Sequence, residues 1–169
     1  MATRPKNDPA QQDARFEDAD ERPLRLHAVE PEDLPIISAL VQDAVTEVGR
    51  AAWARRRRRF TVMLNRFRWE DAERAAREGR PFERVQSLLV VDSVLRVRAQ
   101  DVDPRATETV LSLLALSFEP GEDGAGTLRV TLSGDGEVAI DVECLDVALC
   151  DVSAPYVARA AAAPAHRSD

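Results

Sequence analysis

The sequence is short of the residues on which several protein classes depend. Among its 169 residues it has two cysteines, too few for a disulfide-stapled secreted scaffold. It has two histidines, His27 and His166, too few for a histidine-based zinc site. Lys6 is the single lysine, so the P-loop-like spacing of Gly121, Gly126 and Thr127 lacks the cation that reaches phosphates, and Glu122 and Asp123 would repel them. No serine sits in a G-x-S-x-G elbow. No apolar run approaches the ~20 residues of a membrane span, and the polar, acidic N-terminus has no signal-peptide core. The net charge of −7 and pI near 5.0 argue against a generally nucleic-acid-coating or membrane-coating surface. No metal or cofactor is expected.

With 44% hydrophobic and 31% charged residues, the composition is that of a soluble globular chain, here expected to be cytoplasmic. The length suits one domain. Residues 1–22 carry ten charges and two prolines, with Phe16 the one large apolar residue after Met1, which predicts disorder. The alanine-rich tail over 158–169 reads the same way, leaving 23–157 as a single α+β domain. Alanine is abundant, asparagine scarce and lysine nearly absent; together these point to GC-rich codon usage as the source of the arginine excess.

Leu24, Leu26 and Ala28 alternate with polar residues as a short strand. Asp33 is positioned to cap a helix whose apolar stripe is Leu34, Ile37, Leu40 and Val41. Residues 45–53 read as a strand, 55–58 as a connection, and Phe60, Val62 and Leu64 open a strand running to Trp69. Glu70 to Arg80 is a solvated helix or a loop. Strands follow at 85–91 and 94–97. The apolar run Thr109 to Phe118 fits a buried strand or helix equally, and offers an edge for self-association if it is not core. Residues 127–152 form a hairpin in which Gly134, Asp135 and Gly136 supply positive-φ positions. At Cys144–Leu145 the apolar phase shifts by one residue, the mark of a bulge or corner. Cys144 and Cys150, ~20 Å apart on an unbent strand, are too far apart for one disulfide and are expected to be buried thiols. The sum is a mainly antiparallel curved sheet or roll of about seven strands with one packed helix, of which a pleckstrin-like barrel is one candidate form.

Charge is polarised along the chain. Residues 50–80 hold eleven arginines against four acids, and residues 119–151 hold nine acids against one arginine. Arg55, Arg56, Arg57, Arg58 and Arg59, with Arg66, Arg68 and an exposed Trp69, form the candidate binding surface for an acidic protein partner. Trp53, Phe60, Phe67 and Trp69 interleave with the arginines, so RNA or single-stranded DNA is the alternative ligand. Against both stands internal pairing of the arginines with the acidic strands, the aromatics being core. A small enzyme using the carboxylates Asp141 and Glu143, joined by Asp146, is the third reading. Outward placement beside inward Val138, Ile140 and Val142 makes a solvated face the plainer account of those acids. His27 likewise faces solvent.

The segments LHAVEPEDLPIISALVQDAV, RRRFTVMLNRFRWE, LSLLALSFEPGE and VECLDVALCDVS together resemble a family of small bacterial proteins catalogued as a domain of unknown function. The resemblance spans about residues 23–157. It implies a bacterial cytoplasmic protein of a high-GC genome and supplies no activity, ligand or catalytic residue.

Overall fold

A computed structural model describes residues 22–158 and Pro164. The disorder expected over 1–22 and 158–169 therefore falls, apart from Arg22, Ala158 and Pro164, outside the described residues. The described elements are β1 (Arg25–Ala28), α1 (Leu34–Val41), β2 (Val45–Glu47), β3 (Ala51–Ala54), β4 (Arg59–Phe67), α2 (Trp69–Glu78), β5 (Glu83–Val91) and β6 (Val94–Gln100). They continue with β7 (Val110–Pro120), β8 (Gly126–Leu132), β9 (Glu137–Val142), β10 (Val147–Asp151) and β11 (Tyr156–Val157). Every described strand pair is antiparallel.

The sheet runs β1-β10-β5-β4-β2-β7-β8-β9-β6, with β11 beside β5 and β3 beside β4. It bends into two halves hinged on β2, which pairs with β4 at Val45–Asn65 and with β7 along its length. The chain crosses between the halves at two corners, β5 to β6 and β9 to β10. The corners are tied together, Asp92 N–H donating to Asp146 O at 2.9 Å and Glu143 N–H to Ser93 O at 2.9 Å.

The bend lets both halves share one core. Val62, Leu64, Leu89 and Leu149 face Leu113, Leu128, Ile140 and Val142 in a single buried cluster. The buried side of α1, Leu34, Ile37 and Val41, packs on this cluster, and Leu40 is partly buried beside it. Each such side chain contributes about 1.5–3 kcal/mol by leaving water.

The α+β, mainly antiparallel architecture matches the sequence reading, but eleven strands are described rather than about seven. One reason is that 45–53 is not one strand: a 3-10 turn at Val48–Arg50 splits it into β2 and β3, which lie end to end along the same side of β4. The apolar run is a strand from Val110 onward, part of β7, whose Val110–Ser112 pair with β2 and whose Leu113–Pro120 pair with β8. The polar segment 70–80 is helical: Glu70 and Asp71 sit in its first turn, where acids are favoured, and Gly79 ends it at φ +65°. Asp33 precedes α1 but makes no side-chain capping bond; a 3-10 turn over Pro31–Asp33 leads into the helix instead. In the β8–β9 turn Gly134 and Asp135 have positive φ, whereas Gly136 is extended at −72°. Cys144–Leu145 is a corner, beyond which Leu145, Val147 and Leu149 take up the inward phase. Cys144 is exposed and Cys150 half-buried, where both were expected to be buried, and neither is in a disulfide.

Candidate functional site: an arginine-tipped hairpin

The β3–β4 hairpin is in register at Trp53–Phe60 and Ala54–Arg59, which leaves Arg55 to Arg58 as its tip. Arg55–Arg57 make one 3-10 turn, closed by Arg58 N–H donating to Arg55 O at 3.1 Å. Arg58 is left-handed, at φ +53° and ψ +42°. A non-glycine residue there costs about 1–2 kcal/mol, so its surroundings must hold it. Its carbonyl accepts the Val94 N–H at 2.9 Å, and its guanidinium meets Glu143 at 3.1 Å. Next to it, Arg59 binds Asp92 with two hydrogen bonds of 2.7 and 3.1 Å. That hydrogen bonding and the Asp92 charge raise the Arg59 pKa.

The tip itself stays uncommitted. Arg55 stacks on the Trp53 ring, 4.7 Å from its centroid. Arg56 and Arg57 are exposed and form no ion pair among the described residues.

The rest of the expected binding strip is different. β4 is nine residues long, so Arg66 and Arg68 lie roughly 25–30 Å from the tip. Arg66 is no surface cation: its side chain is fully buried. It donates to Glu70 through both terminal nitrogens at 2.9 Å, to Asp151 at 2.9 and 3.0 Å, and through Nε to Ser87 Oγ at 3.0 Å. Burial opposes its charge, but Glu70 and Asp151 outweigh that and raise its pKa. Arg68, 12% exposed, pairs with Glu83 and lies 3.7 Å from both Glu70 and Asp71. Trp69 is half-buried, not exposed; its N–H donates to Gln42 O at 3.0 Å and its ring meets Phe67 edge-on. The expectation that these three belong to a contact surface is thereby corrected. One signal in the sequence did mark Arg66: it continues the inward phase of Phe60, Val62 and Leu64.

Two further arginines of this end, Arg74 and Arg80, converge on Asp71. Arg74 and Arg80 each donate to it at 3.1 Å. Burial raises the Asp71 pKa, but Arg80, Arg68 and Arg74 together bring it below the ordinary carboxylate value. Internal pairing thus accounts for most of the arginines from 58 to 80; Arg77, exposed on α2, stands apart from the tip and forms no ion pair among the described residues.

The candidate acids are also engaged. Burial tends to raise the pKa of Asp141, but hydrogen bonds from Thr127 at 2.8 Å and Arg98 at 2.7 Å bring it below the usual value. Glu143 faces Arg58 and Asp146 meets His27 at 2.6 Å. Each of the three candidate acids is thus engaged by a side chain from another element or turn. Among the described residues no group of histidine, cysteine and acid side chains could hold a metal ion. Nor is any described helix long and apolar enough to cross a membrane.

Fold and site together define an α+β domain on a bent antiparallel sheet, carrying a braced hairpin with a cationic end. The chain belongs to the family described as Protein of unknown function (DUF2948), whose model matches residues 24–166. No curated protein and no solved structure matches it.

Proposed function

We propose that this domain is a non-enzymatic interaction module that offers Arg55, Arg56 and Arg57 to an acidic surface of a protein partner. One observation carries the reading: where neighbouring arginines are consumed by internal carboxylates, these three are exposed and lack an ion pair among the described residues. Exposed like charges on a braced turn steer an oppositely charged partner and set its orientation. Single-stranded nucleic acid is the less favoured ligand. It needs open aromatic faces for base stacking, whereas Phe60 and Phe67 are core, Trp69 is held by Gln42, and Arg55 covers Trp53. The pleckstrin-like variant of the architecture belongs to this proposal, supported by a bent antiparallel sheet with one helix on its core. So does a bacterial cytoplasmic setting, supported by two cysteines that remain free thiols.

The test compares the parent chain with Arg56→Glu/Arg57→Glu, using a fluorescent glutamate-rich peptide and a fluorescent oligothymidine at low salt. The expected result is at least tenfold weaker peptide binding by the variant with an unchanged melting temperature. Equal peptide binding by both proteins refutes the reading, and tighter oligothymidine binding replaces it with the nucleic-acid one.

A further inference from the structure

The two halves of the sheet share one core, but their outer faces differ in kind. In the half built from β6, β7, β8 and β9, the side chains turned away from the core include Arg98, Thr127, Arg129, Thr131 and Asp141. Ion pairs cross that face, Arg98 to Asp141 and Arg129 to Glu119 and Glu137. This is an antiparallel sheet with one face in water. The half built from β1, β10, β5, β4 and β3 breaks the pattern. Residues directly opposite each other on neighbouring strands share a face, and two such rows run across its outside. One contains Ala148, Val90 and Thr61; the next contains Cys150, Leu88 and Met63. β5 therefore runs Leu88-Leu89-Val90-Val91, apolar on both sides, as strands do when both sides are covered.

Neither described helix covers these rows. α1 packs on the opposite, core side, and α2 begins past the end of β4, where Trp69 meets Phe67. All six side chains are half-buried, whereas their inward neighbours Val62, Leu64, Leu89, Val91 and Leu149 are buried. The rest of the chain has little to lay over them: in residues 1–21 and 159–169 the sequence contains Met1 and Phe16 as its large apolar residues. At the rim the charges are matched within the molecule, Arg59 with Asp92 and His27 with Asp146. The face thus asks for an occupant that is flat, apolar at its centre and without net charge. An acidic surface, suited to the arginine tip, would set unpaired carboxylates against hydrocarbon. The same face on a second copy meets all three demands.

We propose that two copies of this chain stack the outer faces of β10, β5 and β4 against one another in a two-fold dimer, with Met63, Leu88, Val90 and Cys150 at its centre. A two-fold interface uses one self-complementary patch twice, and a neutral apolar patch is its own complement. The area suffices. Five strands ~4.8 Å apart, carrying four outward rows ~6.6 Å apart, make a face of ~600 Å². Two copies together hide ~1,200 Å², the lower end of specific interfaces. An apolar centre with a polar rim is also the usual anatomy of such a contact. An interface of this size fits a dissociation constant of ~10 µM. The dimer face shares no residue with Arg55, Arg56 or Arg57, so it stands whether or not the tip binds an acidic protein.

The test is sedimentation velocity on the full chain, joined to alkylation of its two free thiols. At ~100 µM the parent should sediment near twice 18.7 kDa, and at ~1 µM near 18.7 kDa itself. Leu88→Arg, and the milder Thr61→Arg at a half-buried position of the neighbouring row, should stay monomeric at ~100 µM while keeping the parent circular-dichroism spectrum. Thr131→Arg, on the polar outer face of the other half, should dimerise as the parent does, and so should Arg56→Glu/Arg57→Glu, which separates this face from the arginine tip. The unmodified chain gives a readout that no substitution can disturb. Cys150 lies in the dimer face and Cys144 is exposed at a corner. Mass action leaves about a fifth of the chains monomeric at ~100 µM and most of them at ~1 µM, so iodoacetamide should modify Cys150 about fourfold more slowly at the higher concentration. The Cys144 rate should not change. The proposal is overturned by a monomeric parent at ~100 µM, by a dimer that survives both Leu88→Arg and Thr61→Arg, by one that Thr131→Arg abolishes, or by a Cys150 rate independent of concentration.

Discussion

Replacing Arg66 by alanine separates scaffold from surface in the basic segment. The guanidinium is fully buried, and it is the cation for Glu70 and for Asp151, which is itself only 7% exposed. Asp151 also accepts the Ser87 hydroxyl at 2.7 Å and the Leu24 N–H at 3.3 Å, so it ties β4, β5 and β10 to the residue that leads into β1. Truncation leaves a buried carboxylate without its charge partner and opens a void the length of an arginine stem. Breaking a buried pair from one side costs about 3–5 kcal/mol. For a folded body of roughly 140 residues, with an unfolding entropy near 2.1 cal/mol/K per residue, that lowers Tm by about 10–17 °C. The assay is calorimetric or circular-dichroism melting, with urea titration for the free energy. Adding Glu70→Gln and Asp151→Asn to Arg66→Met should recover part of the loss, because the stranded charges are then gone. A loss under ~1 kcal/mol for Arg66→Ala would refute the account, since that is the range of an exposed ion pair.

Two further outcomes follow from the same physics. Asp71 has a folded pKa below its unfolded value, so its contribution is present above the unfolded pKa and disappears as pH falls through the folded one. Stability should therefore drop from about pH 4 downward, and Asp71→Asn should flatten that limb in melts across an acid series while lowering stability at neutral pH. Gly126→Ala should destabilise by about 1–3 kcal/mol, because the new Cβ would stand 2.5 Å from both the Phe118 ring and Glu119 O; urea midpoints measure it.

Much of the fold was legible where one periodicity acted alone. Leu128, Val130 and Leu132, then Val138, Ile140 and Val142, alternate around a glycine turn and became β8 and β9. The α1 stripe was equally plain. Legibility failed where two demands overlapped. Val110–Pro120 is apolar nearly throughout, so nothing in its pattern chose strand over helix; pairing with β2 and β8 did. β2 and β3 merged in the sequence because the 3-10 turn between them contains Val48, which does not interrupt an apolar reading. The candidate site divided for a related reason. A run of arginines looks uniform, but strand alternation sends Arg66 inward while the hairpin turn leaves Arg55 to Arg57 outside. An apolar cleft of about 270 Å³ lined by Trp53 of β3 and Val97 of β6 had no signature at all, because the two strands are far apart in the chain and each looks like an ordinary short strand.

The left-handed Arg58 has a consequence for how this molecule would meet anything else. Its carbonyl is fastened to Val94, its side chain to Glu143, and the adjacent Arg59 to Asp92, so the hairpin end is pinned to both corners of the sheet. A visitor encounters a fixed stud, not a tentacle that must first be stilled. Recognition on such terms forfeits little conformational freedom, so capture should be fast, sensitive to ionic strength, and short-lived once the charges are screened.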